Sequence, residues 1–326
     1  MQGKETPEQA TSTKSNVGID VSKAWLDVHV LPDGQTQRVA NNKEGIRQLK
    51  RWLSRFDLAL IVLEATGKWH RPAHRSLHAS GLPVAMVDPY RVRMFAKAQG
   101  LLAKTDRLDA RLLARFAAIM DPARRPPQPE AMETLAELAK ARDSAVAEQT
   151  ALENQRAAAA SKFLTRHLTR RIARADKDMA AIEREIHRYI QADPALARRY
   201  AILTSIPGCG FVTAITLIAR MTELGTCTVK QAAMLAGLAP VADDSGERQG
   251  VRVIWGGRPA LRRALYLAAV SAKRFNADMK TVYDRLLANG KEPKLALIAV
   301  ARKLVILANT LIAQDRTWQE KAPKPA

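Results

Sequence analysis

The first hundred residues switch repeatedly between two hydrophobic periods. Val17 to Ser22 (VGIDVS) is a short apolar strand, and WLDVHVL, beginning at Trp25, alternates apolar and polar positions, the period of a half-buried strand. Pro32 to Gln35 carries Asp-Gly and predicts a hairpin turn that returns through TQRVA. The period then lengthens, with Ile46, Leu49, Leu53 and Phe56 on one helical face. Leu58 to Ala65 (LALIVLEA) is almost continuously apolar, which suits a strand buried on both faces of a sheet. A helix over 69–80 ends at Gly81, and PVAMVD predicts the next strand. The order is an antiparallel meander followed by alternating helix and strand, an α/β arrangement.

The pattern changes at Asp121 to Glu130 (DPARRPPQPE), where four prolines in ten residues exclude a helix interior and mark a boundary. Residues 130–192 hold neither proline nor glycine and are rich in Ala, Glu, Arg and Leu, the composition of long helices. Ile172, Ala175, Met179, Ile182, Ile186 and Tyr189 follow one another at spacings of 3, 4, 3, 4 and 3, a heptad seam of under three repeats. A coiled-coil hairpin or helical arm is predicted, ended by Asp193-Pro194. Residues 200–326 read as mainly helical, with loops at IPGCG, GLAPVADDSGERQG, WGGRP and ANGKEPK. This divides the chain into an α/β domain over 1–125 with a disordered tail over 1–15, a proline linker and arm over 126–196, and a helical domain over 197–326.

Charge narrows the partner. The 326 residues carry 52 Lys and Arg against 32 Asp and Glu, a net of +20. Such self-repulsion is best tolerated by a protein whose partner is a polyanion, and nucleic acid comes first because neutralised phosphates release counterions. An anionic membrane surface is the alternative. No apolar run is expected to reach the roughly 18 residues of a spanning helix, and the polar N-terminus lacks the apolar core of a signal peptide. The two cysteines, Cys209 and Cys227, cannot build a four-cysteine zinc site and read as reduced core thiols.

Against this basic background four acids stand out. Asp20 ends the first strand and Glu64 ends the buried one, where an unpaired charge is costly. In an open sheet the C-termini of parallel strands share one edge, where sites collect. Asp106 and Asp109 lie three residues apart at the start of a helix in KTDRLDARLLA. Such a pair alone equally serves a solvated helix face or an N-terminal charge preference. If that helix crosses the strand edge, the four carboxylates converge. Their hard oxygens suit Mg²⁺ or Mn²⁺ and phosphodiester chemistry, with Lys104, Arg107 and Arg111 placed to hold phosphate. The layout matches the ribonuclease-H-like plan of RuvC-type nucleases.

GIDVSKAWLDVHVL, LEATGKWH and KTDRLDARLLA, followed by IPGCGFVTAITLIA, AMLAGLAPVADDSGERQG and GGRPALRRALYLAA, resemble in that order the insertion-sequence transposases of the "one-ten" family, the Piv-like DEDD recombinases that also use a serine. The resemblance runs from about Val17 to about Leu311. It implies a RuvC-like domain, a coiled-coil arm and a C-terminal transposase domain. It implies donor and target DNA as substrates, a structured bridge RNA as guide, a homo-oligomer (dimer or tetramer), and a cytoplasmic protein that joins the nucleoid when active. Matched motif by motif, the acidic tetrad is Asp20, Glu64, Asp106 and Asp109, and the nucleophile is Ser245 in DDSGERQG.

From its residue type alone Ser245 reads as an ordinary loop or capping serine, since a hydroxyl needs a base or metal before it attacks. Arg248, Arg252, Arg258, Arg262 and Arg263 follow it and offer guanidinium forks for phosphate oxygens. Lys162, Arg166, Arg170 and Arg174 recur every four residues beside Arg171, with no acid between Ser161 and Ala175. On a helix they form a basic stripe fit for a nucleic-acid backbone. SIPGCGFVTAITLIA resembles a helix-hairpin-helix turn in which Gly208 and Gly210 let backbone amides approach a phosphate, and a tight turn used for packing is the alternative. Two other functions fit the same residues: a RuvC-type structure-specific nuclease in which water attacks, and an RNA-binding scaffold without catalysis.

Overall fold

The structure, a computed structural model, describes residues 14–65, 67–101, 106–241, 250 and 252–320, leaving aside the side chains of residues 106–108. The N-terminal tail, Lys104 and the loop bearing Ser245 and Arg248 lie outside the described residues. The chain divides into two compact units, residues 1–128 and 129–326.

The first unit is mixed α/β. In chain order it contains β1 (Ser15–Val21), β2 (Trp25–Leu31), β3 (Thr36–Ala40), α1 (Lys43–Leu53), β4 (Leu58–Glu64), α2 (Arg71–Ala79), β5 (Val84–Val87), α3 (Pro89–Ala98) and α4 (Asp106–Met120). The sheet order is β3-β2-β1-β4-β5. The meander β1-β2-β3 is antiparallel, while β1, β4 and β5 run parallel. Strand alternation gives each face its own core. Val17, Ile19, Leu26, Val28, Ile61 and Leu63 pack with Ile46, Leu49 and Leu53 of α1 and Leu77 of α2. Leu60, Val62, Ala85 and Val87 face the other way and meet Val92 of α3 and Leu112, Leu113 and Phe116 of α4. The unbroken apolar run in β4 follows from this double coverage, since Leu60 to Leu63 are all at most 1% exposed.

Helix α3 is absent from the sequence expectations. Its start is nonetheless written locally, because Asp88 caps it by accepting from the amides of Tyr90 and Arg91 and Pro89 opens the first turn. Helix α4 lies directly against the backbone of β1. A Cβ on Gly18 would stand 2.1 Å from the Ala110 carbonyl oxygen and 2.3 Å from the Ala114 nitrogen. No flexible side-chain end is there to give way, so Gly18→Ala must push the helix outward. The expected cost is about 1–3 kcal/mol, read as a lower urea midpoint.

Among its described residues the second unit is helical apart from one short ladder. It contains α5 (Glu130–Ala158), α6 (Lys162–Ala192), α7 (Pro194–Thr204), α8 (Phe211–Arg220), α9 (Val229–Leu235), β6 (Pro240–Val241), β7 (Val253–Ile254), α10 (Pro259–Phe275), α11 (Ala277–Ala288) and α12 (Pro293–Ala313). Helices α5 and α6 fold back on each other through a break at 159–161. At their base Leu135, Ala139, Ile186 and Ile190 join the main core. Farther out Arg142 binds Glu183 (2.7 Å) and Gln149 binds Asp176 (2.7 Å). Near the tip Leu152, Leu168, Ile172 and Ala175 form a separate small cluster. Ile172, Ala175 and Ile186 of the heptad seam are buried, and Met179, Ile182 and Tyr189 are half-buried.

Helix α8 is buried from Thr213 to Ala219 and packs with α5, α7 and α10. Helix α12 corrects one expectation: it is long and apolar enough by composition to cross a membrane. It serves as a core helix, with Val300, Ala301, Leu304, Val305 and Ala308 fully buried in the protein. Cys209 and Cys227 are free thiols. Burial pushes the Cys209 thiol up to about 12, and the Cys227 Sγ donates to Asn309 Oδ1 (3.2 Å).

Candidate active site

The strand register of the first unit determines where its acids stand. Ile19 pairs with Leu63 across the parallel β1-β4 ladder, and both belong to the core beneath α1 and α2. One residue on, Asp20 and Glu64 are level with each other on the opposite face, the one α4 covers, on strands about 4.8 Å apart. Both are half-buried. The Asp20 carboxylate accepts from the Val21 amide at 3.0 Å. Asp109 is half-buried in the first turns of α4, next to Ala110, whose carbonyl abuts Gly18 two residues before Asp20. Asp106 opens the same helix. All four acids are thus on described elements, two on one sheet face and two at the start of its covering helix, with side chains described for Asp20, Glu64 and Asp109. The side chains of Asp106 and Arg107 lie outside the described residues, as does Lys104.

Carboxylate oxygens on a basic protein are the donor type for Mg²⁺ or Mn²⁺, so the residues fit such an ion in kind. Among the described residues no group of three or more His, Cys, Asp or Glu is close enough to hold one.

A fifth acid, which the sequence pattern alone does not single out, lies on this face. Asp27 is directly opposite Asp20 in the β1-β2 ladder and is 7% exposed. Like charges so placed repel. Arg38, opposite Asp27 on β3, answers this with a forked pair, Nε to Oδ1 at 2.7 Å and a terminal nitrogen to Oδ2 at 2.9 Å. The signal was present in the sequence: the Asp-Gly turn fixes a register that sets Asp27 against Arg38. Beside them a pocket of about 310 Å³ is lined by Asp27, His29, Thr36, Arg38 and Ala110, among others. Burial, and secondarily the Arg111 charge, holds the His29 imidazole below its usual range. Arg111 itself is exposed on α4.

In the second unit β6 and β7 pair antiparallel, Pro240 with Ile254 and Val241 with Val253, and so close the loop that carries Ser245. Ser245 and Arg248 are outside the described residues. The foot of the loop is fixed. Gly257 has φ +66°, and a Cβ there would stand 2.2 Å from the Gly237 nitrogen. An Arg262 terminal nitrogen donates to the carbonyls of Gly237 (3.3 Å) and Gly256 (3.2 Å). Arg258 is engaged internally: its two terminal nitrogens bind Glu223 at 2.8 and 2.7 Å, and one also donates to the Arg220 carbonyl at 2.6 Å. Of the five arginines named after the serine, these two therefore build the foot, while Arg252 and Arg263 are exposed.

The other surfaces divide in the same way. Lys162, Arg166, Arg170, Arg171 and Arg174 are all exposed on α6. Glu148 of α5 approaches Arg171 at 3.8 Å and Asp178 approaches Arg174 at 4.0 Å, contacts too long and too wet to hold either guanidinium firmly. Phe163, Thr165, Arg166, Thr169 and Arg170 line a shallow groove of about 520 Å³. At the turn between α7 and α8, Gly208 has φ +101° and a Cβ there would stand 2.6 Å from the Ala272 side chain, so packing against α10 requires this glycine. Gly210 has open space around its Cβ position and caps α8 without a side-chain hydrogen bond.

Known proteins fall on both units. Residues 17–184 match the family described as "DEDD_Tnp_IS110: Transposase", and residues 200–284 match "Transposase IS116/IS110/IS902 family". The chain belongs to the DEDD transposases of the IS110 family, and it is a DNA recombinase of the transposase class. The pilin gene-inverting protein of Moraxella bovis is 29% identical over 322 residues, covering 95% of this chain and 99% of that protein. Its counterpart in Moraxella lacunata matches to the same extent. An uncharacterized 43.6 kDa protein of insertion element IS110 in Streptomyces coelicolor is 31% identical over 146 residues, 44% of this chain and 35% of that one.

Proposed function

We propose that this protein cuts and rejoins donor and target DNA under the direction of a structured bridge RNA, with Ser245 as the attacking group and Asp20, Glu64, Asp106 and Asp109 as the carboxylate set. The observation that carries the reading is the level placement of Asp20 and Glu64 on the face beneath α4, the helix that begins at Asp106. The sheet order, with its antiparallel meander and parallel β1-β4-β5 half, supports a ribonuclease-H-like domain of the RuvC type. The nearly full-length similarity to proteins named for inverting a pilin gene supports recombination rather than hydrolysis. The RNA guide rests on the family resemblance and on the basic balance of +20.

Mg²⁺ or Mn²⁺, held by the four carboxylates, would neutralise charge at the scissile phosphodiester and favour its cleavage. The chain supplies the rest. The Ser245 Oγ loses its proton and bonds to phosphorus, a phosphorus–oxygen bond of the DNA breaks, and the departing DNA hydroxyl takes up a proton. Attack by a hydroxyl of the second DNA reverses the step, remakes a phosphodiester and frees the serine. The phosphoserine ester conserves the bond energy that hydrolysis would discard. Holding two DNAs at once favours a dimer or tetramer.

The test is reconstitution of the full-length protein with the element's flanking noncoding RNA, donor DNA and target DNA. Joined products and a denaturation-resistant protein–DNA adduct whose linked peptide contains Ser245 are expected. Broken strands without an adduct would favour the structure-specific nuclease.

The exposed stripe on α6 is assigned to a nucleic-acid backbone. Changing Lys162, Arg166, Arg170 and Arg174 together to Glu is expected to weaken RNA or DNA binding and to flatten its dependence on salt, by roughly 0.7–0.9 in log–log slope for each phosphate that the protein no longer neutralises. An unchanged affinity across a salt series would remove the stripe from the binding surface.

A further inference from the structure

The β6-β7 ladder carries an exposed apolar face that nothing in the proposed chemistry uses. Val241 and Val253 are direct partners, so they share a face, and they are 41% and 55% exposed. Two residues beyond Val253 comes Trp255, 73% exposed. Met234, whose carbonyl stands against Gly257, is 60% exposed. The tryptophan is held there by its surroundings. Arg262 donates to the carbonyls of Gly237 and Gly256, the Arg258 amide donates to the Leu235 carbonyl, and the Arg258 guanidinium is anchored on Glu223. Its chain neighbours are thereby fixed to α9 and to the turn after α8, and the indole is presented outward on a rigid foot.

The charge around this face selects its partner. Between Arg252 and Arg263 the chain beside this face has four arginines and no acid, and Arg252 and Arg263 are exposed. A flat aromatic surface inside a basic field is the combination that holds unpaired nucleic acid, because any base offers a π-face and the cations take the backbone. Fully paired DNA has no free base face to offer. A partner chosen for apolar contact alone would not call for arginines on both sides of the indole.

We propose that Trp255, with Val241 and Val253 beside it, is a stacking platform for an unpaired base of the DNA strand presented to the serine loop. The choice of DNA rests on the reading that Ser245, enclosed by the same hairpin, reacts with DNA. Strand exchange requires bases to leave their stacks near the broken bond, and a platform directly after the ladder that closes the loop would hold one of them while the new pairing forms.

The experiment uses the full-length protein and a DNA duplex containing one unpaired 2-aminopurine, whose fluorescence is quenched on stacking. Wild type is expected to quench it. Trp255→Ala is expected to lose the quenching and to bind the bulged duplex about 10- to 100-fold more weakly, while Trp255→Phe retains most of both. All three should bind a fully paired duplex alike, which also shows that the variants are folded. Unchanged quenching and affinity in Trp255→Ala would overturn the proposal. So would a sedimentation shift with unaltered DNA binding, which would make the face a contact between copies of the chain. An effect confined to RNA of the same sequence would overturn the choice of DNA. Ser245→Ala protein should quench as wild type does, so a failure of the serine chemistry and a failure of the platform give different results.

Discussion

Ser245→Ala should abolish strand exchange, by on the order of 10⁴-fold or more, while leaving RNA binding and DNA binding intact. The magnitude follows from what the hydroxyl is asked to do. Without the Oγ there is no ester in which to store the phosphodiester bond, and the remaining machinery can only admit water, so losing a nucleophile removes the reaction path rather than trimming its barrier. Binding is expected to survive because the loop is closed by the β6-β7 ladder and its foot is fixed through Arg258, Arg262 and Gly257, none of which involves the serine. The measurement is product formation alongside an adduct assay in denaturing gels. Ser245→Cys should keep a trace of exchange, since a thiolate is intrinsically nucleophilic. Efficient recombination by Ser245→Ala would transfer the attack to water or a DNA hydroxyl.

The second large effect belongs to the strand ends. Asp20→Asn and Glu64→Gln should each reduce strand breakage by about 10³-fold or more and should not unfold the protein. Each replaces a half-buried carboxylate by an amide of the same shape, so packing beneath α4 is kept while the negative charge and an oxygen donor are lost. Thermal unfolding at wild-type temperature beside absent cleavage is the expected pair of readings. Either variant also separates the candidate functions when set against the serine. A nuclease using water loses activity with Asp20→Asn but keeps it with Ser245→Ala, whereas the recombinase loses exchange with both. Wild-type cleavage by Glu64→Gln would remove it from the reacting centre.

What the sequence made legible follows from the range of the interactions. The meander was readable because alternation in WLDVHVL and the Asp-Gly turn are local facts, and β2 and β3 begin and end where the pattern placed them. The level placement of Asp20 and Glu64 was readable in outline because Glu64 ends β4 and Asp20 stands one residue before the end of β1, strands whose apolar phase is plain. The close approach of α4 to Gly18 was hidden, since nothing around Gly18 in the chain announces a helix that begins nearly ninety residues later. Arg258 shows the same limit: beside a candidate serine it reads as a phosphate ligand, and only the fold brings Glu223 against it. The break between α5 and α6 lacks both glycine and proline, so only the return of α6 onto Leu152 reveals why the chain turns there.

The helical hairpin is stabilised unevenly along its length, and this shapes how it can behave. Its base shares the main core through Leu135, Ala139, Ile186 and Ile190, whereas its outer part relies on four residues, Leu152, Leu168, Ile172 and Ala175. Between them lie polar pairs such as Arg142–Glu183 and Gln149–Asp176, which transmit little cohesion. Opening therefore costs least at the tip and most at the root, a gradient of local unfolding within one element. The basic residues sit on the soft end. Whatever settles on them can order the tip and draw on that order for selectivity, while the root keeps the hairpin fixed to its own unit.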